Sequence, residues 1–169
     1  MQASSNPESK SRLLLLIDGF TSARSGLEGR TKLAKLDFFL RYPKFLKRAL
    51  AERHPNLTFD LGEEEEDNFE TRMIRYRYGP WDPAYFALIG SLIGKGLVQP
   101  VPGRNGSELR TTEIGRRLAS AIAAEPEWTP IADRVAILKK HFNQTGNSLK
   151  NFIYGHFPEV TKATWGDRL

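Results

Sequence analysis

His54, His141 and His156 are the only three imidazoles of this 169-residue chain. None stands four residues from another or beside a nucleophile motif, so they do not read as a metal-binding pair or a general base. There is no cysteine, which removes disulfides and thiolate metal sites and fits a reducing compartment. The one dense group of carboxylates runs from Glu63 to Asp67. Consecutive acids point in different directions, and a calcium loop instead alternates its ligands around a central glycine. Acid–base chemistry needs two carboxylates whose surroundings push their pKa values apart, which one solvated run does not offer. The chain also lacks a Walker lysine loop, a G-x-G-x-x-G turn and a G-x-S-x-G elbow. Gly26, Gly29 and Gly62 read as turn punctuation. These residue types point away from an enzyme, and no cofactor or metal site is expected.

Binding chemistry remains. The stretch "RYRYGPWDP", residues 75–83, concentrates aromatic and basic side chains around a Gly-Pro step. Alternation of Ile74, Tyr76 and Tyr78 with Arg75 and Arg77 predicts a short strand with one buried face. Arg75, Arg77 and Trp81 are then left for contact. Trp81 and Tyr85 are large, rigid groups of the kind that anchor protein interfaces, although Trp81 would serve equally as a core anchor under the corner. The net charge is +5, compatible with nucleic acid, an acidic protein or an anionic surface. Lys32, Lys35, Lys44, Lys47, Arg48, Arg104 and Arg110 are the candidates for contact with a phosphate backbone. They read equally as solvated helix faces or as a surface for an acidic partner.

The elements that must position these groups follow from periodicity and caps. Asn6-Pro7-Glu8 opens a helix that is expected to reach about Ala23, with Leu13, Leu14, Leu16, Ile17 and Phe20 at helical spacing. A second helix is predicted over 30–42 and a third to about Arg53, followed by an acidic linker over 60–70. Gly79-Pro80 is expected to close the strand and Asp82-Pro83 to start a helix over 83–95. Residues 97–112 read as strand, glycine-rich turn and strand, and three further helices follow, two of them expected to be capped by Thr112 and Thr129. The run from Leu13 to Ile17 is too short for a membrane span or a signal-peptide core, so a cytoplasmic protein is expected.

Helices followed by strand, turn and strand make the winged helix-turn-helix arrangement. The expected fold is mainly α with a small antiparallel β-sheet. It comprises a disordered start over 1–5, a winged-helix domain over 6–125, additional helices over 126–160 packed on that domain, and a tail over 161–169. Base readout needs long polar side chains on the helix entering the major groove. The helix over 83–95 instead offers Ala84, Ala87, Gly90, Ser91 and Gly94, with Lys95 only at its end. Small residues at this spacing let another backbone approach, either inside the fold or from a protein partner.

Two segments together carry a resemblance. "GRTKLAKLDFFLRY", residues 29–42, resembles a G-x-x-K-L-x-K-L-x-F-L helix of small prokaryotic winged-helix proteins. In these, a Y-x-Y-G-P turn follows some tens of residues later, here Tyr76, Tyr78, Gly79 and Pro80. The extended form, over roughly residues 10–125, is similar to the middle components of ABC-three-component (Lamassu-like) conflict systems and more distantly to the Panacea antitoxin-chaperone domain. The resemblance implies a non-catalytic adaptor in an antiviral or anti-plasmid defence complex. Its partners would be an SMC/Rad50-like ABC ATPase and a larger, nuclease-type effector. Non-specific DNA contact, a DNA-binding regulator and a Panacea-like chaperone are the alternatives. No membrane partner is expected.

Overall fold

The computed structural model describes residues 6–61, 74–76 and 79–162. The expected disordered start, the acidic run Glu63–Asp67, Arg77 and Tyr78, and the tail from residue 163 lie outside the described residues.

Asn6 caps the first helix, α1 (Pro7–Gly19), by accepting from the Glu8 N–H at 2.9 Å. The helix stops at Gly19 rather than near Ala23. The Thr21 hydroxyl donates back to the Ile17 carbonyl at 2.8 Å, and Ser22 and Ser25 close a loop by a backbone bond of the same length. Leu13 through Ile17 are all buried, because other elements cover α1 on several sides.

Strand β1 (Leu27–Glu28) follows. It is two residues long and shows no alternation, so the sequence carried no signal for it. It passes directly into α2 (Gly29–Arg41). Every residue of α2 from Lys32 to Arg41 is buried, so the apolar stripe of Leu33, Leu36 and Leu40 is only part of what this helix hides. A helix buried all round sits at the centre of its domain. Here α1, α3 (Pro43–Arg53), α6 (Thr129–His141) and α7 (Gly146–His156) all pack around it. Phe38, Phe39, Phe45, Phe142 and Phe157 meet where these helices converge, with ring centroids 5.0–6.4 Å apart. Arg53 clamps the end of α3 to this cluster. It donates to the His141 carbonyl and the Gln144 amide oxygen, both at 2.7 Å, and lies over the Phe142 and Phe152 rings.

Residues 74–76 and 79–81 are two paired strands rather than one strand and a corner. Strand β2 (Ile74–Tyr76) pairs antiparallel with β3 (Gly79–Trp81), placing Tyr76 opposite Gly79 and Ile74 opposite Trp81. Gly79-Pro80 therefore opens a second strand instead of closing the first. Helix α4 (Tyr85–Gly94) starts two residues later than expected, after a turn in which Asp82 still satisfies a backbone donor.

A hairpin joins β4 (Val98–Gly103) to β5 (Gly106–Thr111), with Arg104 and Asn105 at its tip and Gly106 at φ +111°. Such a φ favours glycine. The three-stranded antiparallel sheet has the order β1-β5-β4. Pro100 and Pro102 fall on β4, an edge strand, where a missing N–H costs the ladder least. Thr112 caps α5 (Glu113–Ala124) at 3.0 Å through the Gly115 N–H. Gly115 is required there, since a Cβ would lie 1.9 Å from the Leu97 carbonyl oxygen. Thr129 is the first residue of α6 rather than its cap. Thr145 caps α7, and α8 (Pro158–Lys162) resumes after a break at Phe157. The fold is mainly helical with a small antiparallel sheet. Among the described residues, no helix is long and apolar enough to cross a membrane.

Candidate functional site

A buried ionic network fixes α4 onto α1 and α2. Asp37, fully buried on α2, accepts from the Arg12 Nε at 2.7 Å and Nη2 at 3.3 Å. The Tyr85 hydroxyl donates to the same carboxylate at 2.7 Å, and the Arg41 Nη1 lies 3.7 Å away. Arg41 also donates to the Asp82 Oδ2 at 2.7 Å, while the Asp82 Oδ1 accepts from the Ala84 N–H at 2.8 Å. Arg12 on α1, Asp37 and Arg41 on α2, and Asp82 and Tyr85 at the start of α4 are thus one unit.

The charges decide the protonation states. Burial alone would raise the Asp37 pKa, but Arg12, Arg41 and the hydrogen bonds from Arg12 and Tyr85 outweigh it and hold the pKa below its usual value. Burial and the adjacent carboxylate raise Tyr85 well above the phenol value. The centre of the unit is closed to solvent, with Asp37 and Tyr85 fully buried and Arg12 and Arg41 nearly so, while Asp82 at its edge is partly exposed. Its work is positional: it sets the rotation of α4 about its axis.

With Tyr85, Leu88, Ile89 and Leu92 turned inward, α4 presents the opposite face to solvent. Phe86 is 59 % exposed and Ile93 37 %. Ala87, Gly90 and Gly94 are exposed between and beside them, and a Cβ built at either glycine meets nothing within 4 Å. These small residues do not serve tight packing inside the fold. Trp81, half-buried against the core, stands edge-on to Tyr85 at 5.1 Å and 6.1 Å from Phe86. Arg30 lies 4.3 Å above the Phe86 ring. At the other end of the helix, desolvation and the neighbouring Lys95 ammonium lower the Lys10 pKa, which places two cations together there.

No protein-family model matches the chain, and no curated protein and no solved structure matches it.

The basic candidates separate sharply. Lys32 and Lys35 are 2 % and 1 % exposed, which corrects their reading as phosphate contacts. Lys32 donates to the Asn143 Oδ1 at 2.8 Å, and the burial of α2 leaves neither ammonium available to a polyanion. Lys44, Lys47 and Arg48 on α3 are exposed, with Arg48 paired to Glu159. Arg104 is exposed at the hairpin tip. Arg110 is half-buried and committed to the Ser22 and Ser25 carbonyls at 2.5 and 3.3 Å.

Tyr85 is corrected too. It is 0 % exposed and bonded to Asp37, so it supports the face of α4 without being part of it. Trp81 keeps a partly exposed ring beside that face. The Arg75 side chain, like Arg77, lies outside the described residues. His54 and His141, distant in sequence, meet at 4.6 Å between ring centroids, and desolvation and the His54 neighbour lower the His141 pKa. Among the described residues, no three potential metal ligands come together.

Sequence reasoning missed Asp37 and its arginines, and it missed Phe86, Arg30 and Lys10. One signal for Asp37 was present: the only acid of its helix, set between Leu36 and Phe38-Phe39.

Proposed function

We propose that this chain is a winged-helix adaptor subunit. It docks on an SMC-type ABC ATPase and couples it to a larger effector in a prokaryotic defence complex, as the resemblance to ABC-three-component middle proteins implies. The order α1-β1-α2, then α4-β4-β5, with the sheet arranged β1-β5-β4, supports the winged-helix reading. The observation that carries the adaptor reading is the outer face of α4. The helix that would enter a major groove offers Phe86, Ala87, Gly90, Ile93 and Gly94, none of which can pair with a base edge. An exposed apolar face on the helix that would otherwise read bases favours a protein contact. The test is co-expression of the tagged chain with the genes beside its own. An ABC ATPase should co-purify in a fixed ratio, and recovery of the chain alone would end this reading.

The exposed cations Lys44, Lys47 and Arg104 favour a second activity, contact with DNA phosphates. Duplex DNA should then be retained at low salt and released as salt rises. Reversing Lys44 and Lys47 to Glu should lower the salt slope by about one for each phosphate that is no longer neutralised.

A further inference from the structure

The outer face of α4 has chemistry enough to say what it would hold. Phe86 and Ile93 are seven residues apart, about 10 Å along the axis, and project in nearly the same direction. They form a ridge. Ala87, Gly90 and Gly94 run beside it as a furrow with open space above both glycines. A furrow floored by Cα atoms admits a second helix at an interaxial distance of about 8 Å, the close end of the usual range.

Cations stand at both ends of this surface. Arg30 covers Phe86 at the amino end, and Lys95 and Lys10 meet at the carboxyl end. Among the described residues, none of the three forms an ion pair with an acid. Two adjacent ammoniums repel each other and gain from any carboxylate brought between them.

We propose that this face docks an amphipathic helix of the partner protein, one that carries an apolar ridge flanked by Asp or Glu. The inference rests on the adaptor reading and supplies the chemistry of its docking surface. The apolar ridge fills the furrow beside Phe86 and Ile93, and acids at its two ends meet Arg30 and the Lys10–Lys95 pair. A second copy of this chain does not fit. Isologous pairing of the face would set Arg30, Lys10 and Lys95 of one copy against the same cations of the other. DNA does not fit either, since the exposed Phe86 ring would occupy the groove that a base-reading side chain needs.

The test uses the full-length chain co-expressed with its neighbouring gene products, with p-benzoylphenylalanine placed at Ile93. Irradiation should join it to a protein segment whose sequence has apolar residues at helical spacing and Asp or Glu at its flanks. Phe86→Ser with Ile93→Ser should weaken the complex roughly a hundredfold. Reversing Arg30, Lys10 and Lys95 to Glu should weaken it about tenfold, chiefly through a slower association that salt removes. Lys140→Glu, an exposed cation on α6, should change affinity less than about twofold. A cross-link to DNA, to a second copy or to a basic segment overturns the proposal. So does an intact complex with no cross-link, or one indifferent to the Phe86 and Ile93 substitutions, and in these cases the adaptor reading survives. If no co-expressed protein binds at all, both fall.

Discussion

Asp37 is the residue on which the position of α4 depends, and its replacement should be felt more than any surface change. Asp37→Asn keeps the shape but leaves Arg12 and Arg41 buried against a neutral amide. Breaking a buried ion pair in this way costs about 3–5 kcal/mol, so the urea midpoint should fall by that equivalent. Tyr85→Phe removes one hydrogen bond to a carboxylate and should cost about 2 kcal/mol. Because both act on the same carboxylate, the double variant should lose less than the sum of the two, measured by a double-mutant cycle. The pH dependence has a definite sign. The folded Asp37 pKa lies below the usual 3.8, so its contribution is complete above that value and is lost as pH falls through the lower, folded-state pKa. Acid unfolding of the native chain should therefore include a component below about pH 4 that Asp37→Asn lacks. At this scale the sequence disclosed residue types but not their surroundings. Lys32 and Lys35 looked like free cations because their helix was read as having one wet face, and the elements packed around α2, with α7 and α6 among them, remove that face.

Helix α4 separates two kinds of glycine. Gly90 lies mid-helix with open space around it, so Gly90→Ala should stabilise the isolated chain by about 0.5–1 kcal/mol through the lower entropy of its unfolded state. The same methyl stands in the furrow and should weaken the partner complex, so thermal stability and binding should move in opposite directions. Gly115 on α5 is the reverse case. Its missing Cβ makes room for the Leu97 carbonyl, and Gly115→Ala should destabilise by about 1–3 kcal/mol in chemical denaturation. Elements long enough to show a period were legible: α1, α2, α3, α5 and the β4–β5 hairpin fall within a few residues of expectation. Strand β1 was too short to carry a pattern. The β2–β3 pair was hidden because Gly79-Pro80 is as good a corner as it is a strand start. That the segment after Asp82-Pro83 is a helix was legible. Which way its small residues point was not, since an exposed and a buried glycine stripe have the same spacing.

In the whole molecule, the central helix comes early in the chain and its cover comes late. Helix α7 packs on α2 through Leu149 and Ile153, and Phe142 and Phe157 close the aromatic cluster around Phe38 and Phe39. A chain ended after Glu125 should therefore lose cooperative unfolding, even though it retains α1 to α5 and all the strands. A sharp calorimetric transition in that fragment would contradict this view of the core. Ribosomal synthesis runs in the same direction as this dependence. Roughly a hundred residues separate the end of α2 from the start of α7, an interval of about 5–20 seconds at ordinary elongation rates. Throughout it, the nascent chain carries Phe38, Phe39 and Leu40 without their final cover, a segment that ribosome-associated chaperones should shield. Stalled chains released at increasing length should stay protease-sensitive at α2 until α7 has left the exit tunnel. They should then become resistant in one step.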